Sequence, residues 1–528
     1  MISKEKIQSL DINGIIRQTL QLLKAGQTDN AIAFCQQNIN HKPHNIELKI
    51  VLSHAYQQKG LFDEMLIVTQ EACEINNQHF AAQLRLVECL IYCSHIAQAI
   101  KTIDKLAQNH EADATKLAKI AELYLHVAQH QKVANTHKQT LKLQPENPVF
   151  LYNLAAAKIS TGEIHGSKEL LTKLINIAPL DFDAYSMRSG LATANKEHNH
   201  TNELKQLLQQ NSTNSKAIIA LSFALAKEFE DLGEYEQSWH YLELANSTRR
   251  KNLRYQVQND INAIEAIIAN INSKSLDTNK TADNKQSPIF ILGLPRSGST
   301  LTDRILSSHP QVSSLGEINA FAFALMHCVG EHQDKIQLIE KSAKVNFDCL
   351  ADKYSQACKG YGFKETFLID KTPLNFLYLG LIKKAYPQAK IIHIKRHPMD
   401  ACYAIYKTLF RMGYPFSYDL GDLGRYFIAY TKLMKHWQNT FVDGFYELNY
   451  EDLVTNSEDA AKKLLNYCQL TWNPKVLAMQ KNKTPTATAS AVQVRQGIYT
   501  SSVAKWKNYA KHLQALKSQL EAAGIDCE

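Results

Sequence analysis

The chain has 528 residues, 45% of them apolar and 21% charged. That length exceeds one ordinary domain, and the composition is that of a globular protein. No run of about 18 apolar residues occurs, which argues against a membrane span. The N-terminus, Met1-Ile-Ser-Lys-Glu-Lys-Ile, lacks the apolar core and small-residue cleavage site of a signal peptide. Ten cysteines are scattered without a CxxC pair, Cys89 and Cys93 being the closest in sequence. They read as reduced core thiols rather than a metal or disulfide framework, so a cytoplasmic location is expected. The formal charge of +8 is unevenly spread: Ala460 to Leu520 holds ten Lys/Arg and no Asp or Glu. Such a segment suits an anionic ligand, with a solvated basic face or a weak nucleic-acid patch as the plainer alternatives.

The first half repeats with a period of 34. Ile46, Phe80, Ala114, Pro148 and Phe182 share one phase, and Pro43, Asn77, Glu111, Pro145 and Pro179 share a helix-breaking phase. Gly60, Ser94, Ala128 and Gly162 mark the intervening turn. Small residues Ala55, Cys89 and Ala157 recur where two helices would approach closely. A 34-residue unit of two antiparallel helices resembles the tetratricopeptide repeat. A further pair is expected around Lys216–Arg249, where Asp231-Leu-Gly-Glu-Tyr-Glu repeats the signature. A plain helical bundle would not keep this register, so residues 1–271 are expected to form an α-solenoid. Its concave groove suits a peptide or partner segment, or the repeats serve dimerisation or support. A homodimer is therefore one outcome, and the sequence does not choose.

Residues 272–287 are polar and read as a linker. Short apolar strands then alternate with helices over 288–528. Strands are expected at Ile289–Leu292, Phe367–Ile369, Lys390–Ile394 and Phe445–Leu448, with helices after Ser299, Asn375, Met399 and Asn456. This is the pattern of an α/β domain whose central parallel sheet is covered on both faces and binds ligand at the carboxyl ends of its strands. The first strand runs into Gly293-Leu-Pro-Arg-Ser-Gly-Ser-Thr300, which opens a helix. Unpaired N–H groups and the helix dipole there favour an anion. The spacing nearly fits a nucleotide-binding P-loop, but Ser299 stands where the Lys would be, and Arg296 comes earlier. The nearest Walker-B-like residue, Asp370, continues into Lys371. The loop therefore suits a phosphate-like group other than the γ-phosphate of ATP, and a P-loop nucleotide-binding enzyme is the main rival among enzymes.

Five segments, Pro288–Thr300, Asp370–Leu379, Lys390–Lys407, Tyr450–Val454 and Gln493–Trp506, together resemble the sulfotransferases that use PAPS (3′-phosphoadenosine 5′-phosphosulfate). The likeness is to bacterial proteins joining tetratricopeptide repeats to a sulfotransferase domain, and next to the tyrosylprotein sulfotransferases. It spans the whole chain. The resemblance implies that Arg296, Ser297, Gly298, Ser299 and Thr300 hold the 5′-phosphosulfate, Arg296 as a charge-assisted fork. It implies Lys371 beside the bridging oxygen, where an ammonium stabilises developing charge. Glu317, in Ser314-Leu-Gly-Glu317, matches the base that takes the acceptor proton, with His309 as the rival base. Arg396 matches the 3′-phosphate arginine, and Tyr450 a residue contacting the nucleoside. Ser490 would sit near the bridging oxygen and Lys505 near the 3′-phosphate, while Arg495 and Gly497 echo the family's Arg-x-Gly. The small and hydroxyl residues from Thr484 to Ser490 suit a mobile lid. The chain departs from the pattern at Ala404, where the family carries Ser, and at Thr408, where an Arg sometimes stands. Lys407 and Arg411 are the candidate substitutes.

The resulting reading is a PAPS-dependent sulfotransferase acting on a hydroxyl or amine, with no metal. A repeat solenoid beside a transfer site suggests a peptide or protein acceptor, while saccharides and lipids stay open. The rival class is a repeat scaffold with a decayed PAPS-binding domain. Nucleic-acid binding rests on the basic C-terminal segment alone and is not expected.

Overall fold

The structure, a computed structural model, describes residues 11–277, 287–411 and 413–528. Helices begin at Ile12, Ile46, Phe80, Ala114, Pro148 and Phe182, each 34 residues after the last, and their antiparallel partners begin at Thr28, Phe62, Ile96, His130 and Ile164. Two recurring local devices enforce that period. The residue before each first helix caps it: Asp11, Asn45, His79, Asp113, Asn147 and Asp181 all accept a hydrogen bond from a first-turn backbone N–H. Each cap satisfies an orphan donor and contributes about 1 kcal/mol. The turn between the helices of a pair needs one residue in the left-handed region, supplied by Gly26, Gly60, Ser94, Ala128 and Gly162. The turn phase is legible in the sequence, whereas the cap phase is disguised by three residue types.

The register lapses after Phe182–Ser189, where residues 190–200 loop out before the helix Thr201–Gln210. Buried Glu228 anchors this loop, accepting from Ser189 Oγ (2.6 Å) and the His200 backbone N–H (2.6 Å). The expected later pair is present as Ser215–Asp231 and Tyr235–Lys251. At the start of the expected linker, Ser273–Asp277 form a short helix with Leu276 buried, where Asn272 and Ser275 hydrogen-bond reciprocally. The expected linker residues 278–286 lie outside the described residues.

The second half is built on a five-stranded sheet, β1 (Ile289–Gly293), β2 (Val312–Ser314), β3 (Phe367–Asp370), β4 (Lys390–Lys395) and β5 (Tyr446–Asn449). Its order is β2-β3-β1-β4-β5 and every pairing is parallel. Strand β2, too short and polar to show in the sequence, adds one edge. β1 is buried on both faces, as expected of a central parallel strand. Ile289 and Ile291 face a core with Ile305, Ile392 and Leu464. Phe290 and Leu292 face the opposite way, into a core that continues through Ile264 and Ile267 to Ile96 and Ile103 of the repeats. The two halves are thus welded by one apolar interior. Gly360 marks a close approach within it, since a Cβ there would lie 2.7 Å from Ile96 Cβ.

Among the described residues no helix is long and apolar enough to cross a membrane.

Ala128 holds φ at 53°, a conformation that costs a residue with a Cβ about 1–2 kcal/mol. Ala128→Gly should therefore raise the stability of the chain by about 0.5–1 kcal/mol after glycine's extra unfolded-state entropy is counted. Gly162→Ala, at φ 92°, should act in the opposite direction. The midpoints of urea denaturation check both signs.

Candidate active site

All five strands deliver a candidate residue at their carboxyl ends. The anion loop follows β1, Glu317 follows β2, Lys371 follows β3, Arg396 follows β4 and Tyr450 follows β5. Parallel pairing brings these loops to one edge of the sheet, around a cavity of about 220 Å³. Arg296, Gly298, Ser299, Thr300, Glu317, Arg396, Tyr450, Ser490, Gly497 and Lys505 line it; Ser297, Lys371 and Arg495 do not.

The loop is shaped by three residues with positive φ: Gly293 (145°), Arg296 (64°) and Gly298 (112°). A Cβ at Gly293 would lie 2.8 Å from the Ile394 carbonyl oxygen, and one at Gly298 would lie 2.4 Å from the Tyr450 ring. Glycine is thus required twice, by β4 and by the tyrosine packed on the loop. Arg296 has no such licence, and its left-handed backbone is strain held by the surroundings. Its guanidinium donates to Ser490 Oγ and, at 2.8 Å, to Gln493 Oε1. Burial is the largest cause that lowers its pKa, and the neighbouring Arg396 pushes the same way. Arg396 donates to the Arg296 carbonyl (2.8 Å) and the Ser502 carbonyl (2.8 Å), with its guanidinium carbon 4.7 Å from the Tyr450 ring centroid. The Tyr450 hydroxyl in turn bonds Ser502 Oγ at 2.6 Å. Arg296 Nε, Arg396 Nε and Ser297 Oγ are buried without a partner among the described residues. Buried orphan donors of this kind are costly unless an acceptor arrives, which fits an anionic ligand.

Across the cavity, Lys371 Nζ donates to Glu317 Oε1. Lys371 is fully buried, whereas Glu317 is 41% exposed and faces the cavity. Backbone bonds hold the two loops together: Lys371 N–H to the Gly316 carbonyl (3.0 Å) and Ile318 N–H to Thr372 Oγ1 (3.1 Å). Asp303, on the helix Ser299–Ser307, is also buried near Lys371; burial raises its pKa, and Lys371 is the strongest opposing influence. No local pattern in the sequence singles it out. Asp370 does not line the cavity: Thr372, Tyr354 and Asn375 donate to it, and burial pushes its carboxyl up to about 7. His309 is a satisfied core histidine, bonded to the Thr471 carbonyl at 3.1 Å and to the Gln311 N–H, and it does not line the cavity.

Geometry also accounts for the positions that depart from the family pattern. Ala404 does line the cavity, with Lys407 beside it. Arg411 turns away to Asp183 (3.2 Å) and the Tyr152 ring of the repeats, and Thr408 Oγ1 bonds back to the Ala404 carbonyl. Of the two candidate substitutes only Lys407 reaches the cavity. Asp400 was missed by sequence reasoning: it accepts from the Ala504 N–H (2.6 Å) and Trp506 N–H (3.0 Å), fixing the backbone that carries Lys505.

Residues 487–490 and 493–494 line the cavity, and the covering segment 482–495 that carries them is tied at both ends. Arg304, a fully buried residue of the loop helix, donates to the carbonyls of Asn482 and Thr484 and to Thr486 Oγ1. Arg495, expected at the ligand, instead donates to the Ser160 carbonyl of the repeats (2.7 Å), which also accepts from the Thr486 N–H (2.8 Å). Among the described residues no three His, Cys, Asp or Glu side chains converge to hold a metal ion.

Residues 288–474 match the model of the sulfotransferase family. The chain is 28% identical over 517 residues to a protein of Aquifex aeolicus (strain VF5) described only as uncharacterized, covering 93% of this chain and 67% of that protein. It is 24% identical over 231 residues to a putative protein-tyrosine sulfotransferase of Caenorhabditis briggsae, covering 42% of this chain and 81% of the relative. Against the protein-tyrosine sulfotransferase of Drosophila melanogaster it is 24% identical over 250 residues, 42% of this chain and 48% of that one. Among solved structures, the sulfotransferase domain of the Synechococcus PCC 7002 olefin synthase is similar at 21% identity and a TM-score of 0.34, over 47% of this chain and 98% of that one. A thermophilic TPR protein of Thermus thermophilus is similar at 17% identity and a TM-score of 0.26, over 34% of this chain and 97% of that one.

Removing the charged hydrogen bonds of Arg304 should release the covering segment while leaving the sheet intact. Such bonds contribute about 1.5–3 kcal/mol, so the open population should rise roughly 10- to 100-fold in Arg304→Ala. Limited proteolysis would then cut between residues 482 and 495 that much faster, with an unchanged far-UV circular dichroism spectrum.

Proposed function

We propose that this chain, whose residues 288–474 match the sulfotransferase family, transfers a sulfuryl group from PAPS to a hydroxyl or amine of a peptide or protein acceptor. The observation that carries the reading is the pair of arginines at the strained loop. Arg296 and Arg396 lie half-buried side by side, each with a buried Nε lacking a partner among the described residues, next to the open N-terminus of a helix. That arrangement is best satisfied with an anion in reach, and a donor carrying phosphates at both ends of a nucleoside supplies two.

The loop N–H groups, Ser299, Thr300 and Arg296 hold the 5′-phosphate, while Arg396 holds the 3′-phosphate and packs on Tyr450. PAPS supplies an activated sulfur whose bond to the bridging phosphate oxygen is weak. Glu317 takes the proton from the acceptor as its oxygen or nitrogen bonds to that sulfur. The bond from sulfur to the bridging oxygen breaks, and its electrons stay on the phosphate. Lys371, which Glu317 holds beneath the cavity and releases as that carboxylate takes the proton, stabilises that charge together with Arg296 and Ser490. Products are the sulfated acceptor and PAP (3′-phosphoadenosine 5′-phosphate). Lys505, Ser297, Gly298, Arg495 and Gly497 belong to the donor side of this reading, Arg495 through the cover segment it anchors.

The acceptor class is supported by the relatives named for protein tyrosine and by the repeats, whose groove would present a peptide. The scatter of ten cysteines without a CxxC pair fits a reducing, cytoplasmic setting. Glu317 facing the cavity with Lys371 paired beneath it favours an enzyme over a scaffold with a decayed site.

Isothermal titration of the full chain with PAP, at low salt and without magnesium, should give micromolar binding that Arg296→Ala and Arg396→Ala each abolish. Glu317→Ala should keep that affinity and lower turnover of labelled PAPS by about 10²–10⁴-fold. Absence of PAP binding by folded protein overturns the donor; unchanged turnover in Glu317→Ala overturns the base.

A further inference from the structure

Behind the cationic wall of the cavity lies a carboxylate that the second half of the chain does not supply. Glu230 is on the repeat helix Ser215–Asp231, its side chain 9% exposed. Its Oε1 accepts from Lys407 Nζ (2.8 Å) and Lys505 Nζ (2.6 Å), and its Oε2 from the hydroxyls of Tyr403 and Tyr509, the latter at 3.3 Å. Four donors from two separate segments therefore meet on one repeat residue. Lys407 and Lys505 both line the cavity that also contains Arg296 and Arg396.

We infer that Glu230 is a positioning residue of the donor site: it holds Lys407 and Lys505 together as the ammonium pair that receives the 3′-phosphate. The inference rests on the donor reading above. Two ammonium groups this close would repel each other, and a buried carboxylate between them removes that cost. Glu230 itself, although burial pushes it up, is held down to about 2 by Lys407 and Lys505. Burial lowers Lys407, with Lys505 and Arg296 adding to the effect, and Glu230 is the group that opposes it. The remaining groups facing the cluster are the neutral phenols Tyr403 and Tyr509, the latter also bonded to Ser238 Oγ of the next repeat helix (3.0 Å). The family's serine is replaced by Ala404, and here a lysine pair braced from the repeats takes over that side of the cavity. The repeat half is thus part of the donor site as well as a platform beside it.

The test is isothermal titration of full-length wild type and Glu230→Gln with PAP and with adenosine 5′-phosphate, which lacks the 3′-phosphate, at pH 7 and pH 9. A phosphate monoester is already dianionic above its second pKa of about 6, so any loss between these values comes from the protein. Wild type should bind PAP with less than about 3-fold change over the interval. Glu230→Gln should bind PAP about 10-fold more weakly than wild type at pH 7 and lose more at pH 9, since burial and Lys505 lower Lys407 and the opposing carboxylate is gone. Its affinity for adenosine 5′-phosphate should stay within about 2-fold of wild type. Equal PAP affinity in the two proteins overturns the inference, and so does an equal loss for both nucleotides, which would mark a general structural defect. No PAP binding by folded wild type would instead remove the donor reading, and this inference with it. Should Glu230→Gln not fold, Glu230→Asp keeps the charge on a shorter arm. It should weaken PAP selectively, and PAP affinity equal to wild type overturns the proposal.

Discussion

Four cations, Arg296, Arg396, Lys407 and Lys505, converge on one cavity, and containing their mutual repulsion is the constraint around which this molecule is arranged. Each is held by something other than a nearby acidic side chain of its own segment. Arg296 leans on Ser490 and Gln493, Arg396 on two backbone carbonyls, and the lysines on Glu230 from the repeats. Neutral acceptors leave the arginines' positive charge available to a ligand. Charge drawn out of water without a counter-ion is expensive, which is why the proposed ligand is an anion.

The same constraint explains why the repeats and the sheet domain are not independent. Glu230 reaches into the cationic cluster, and Ser160 offers its carbonyl to both Arg495 and Thr486 of the covering segment. A core running from Ile96 to Phe290 holds these polar contacts in register. Without that apolar weld, a hydrogen bond between two independently moving bodies would contribute little, because its geometry would not persist. The cover and the repeats are accordingly coupled through Ser160 and its neighbours.

On the opposite side of the cavity the loops after β2 and β3 bring a carboxylate, Glu317, against a cation, Lys371. Glu317 is 41% exposed and lines the cavity, while Lys371 is sealed beneath it. Three buried carboxyls nearby have different roles. Asp370 fixes the loop through Thr372 and Asn375, Asp400 fixes the chain at Lys505, and Asp303 lies close to Lys371.

Much of this was legible in the residues themselves because local rules produced it. The 34-residue period follows from turns that need a left-handed residue and from helices that need a start. The anion loop follows from glycine at positions where a Cβ would collide, and the strand–helix alternation from apolar runs of strand length. These are relations between neighbours along the chain, and neighbours are what a sequence records. Strand β2 and the roles of Arg304, Asp400 and Glu230 came from long-range packing. Glu230 and Lys407 are 177 residues apart, and Arg304 and Thr486 are 182 apart. A charged residue on a helix reads as solvated until a distant segment folds against it, and no local pattern records which segment that will be. The two modules and the anion loop were therefore written into the chain residue by residue. Which charges face one another across the cavity was settled when the two halves packed, because Coulombic partners are chosen by distance in space.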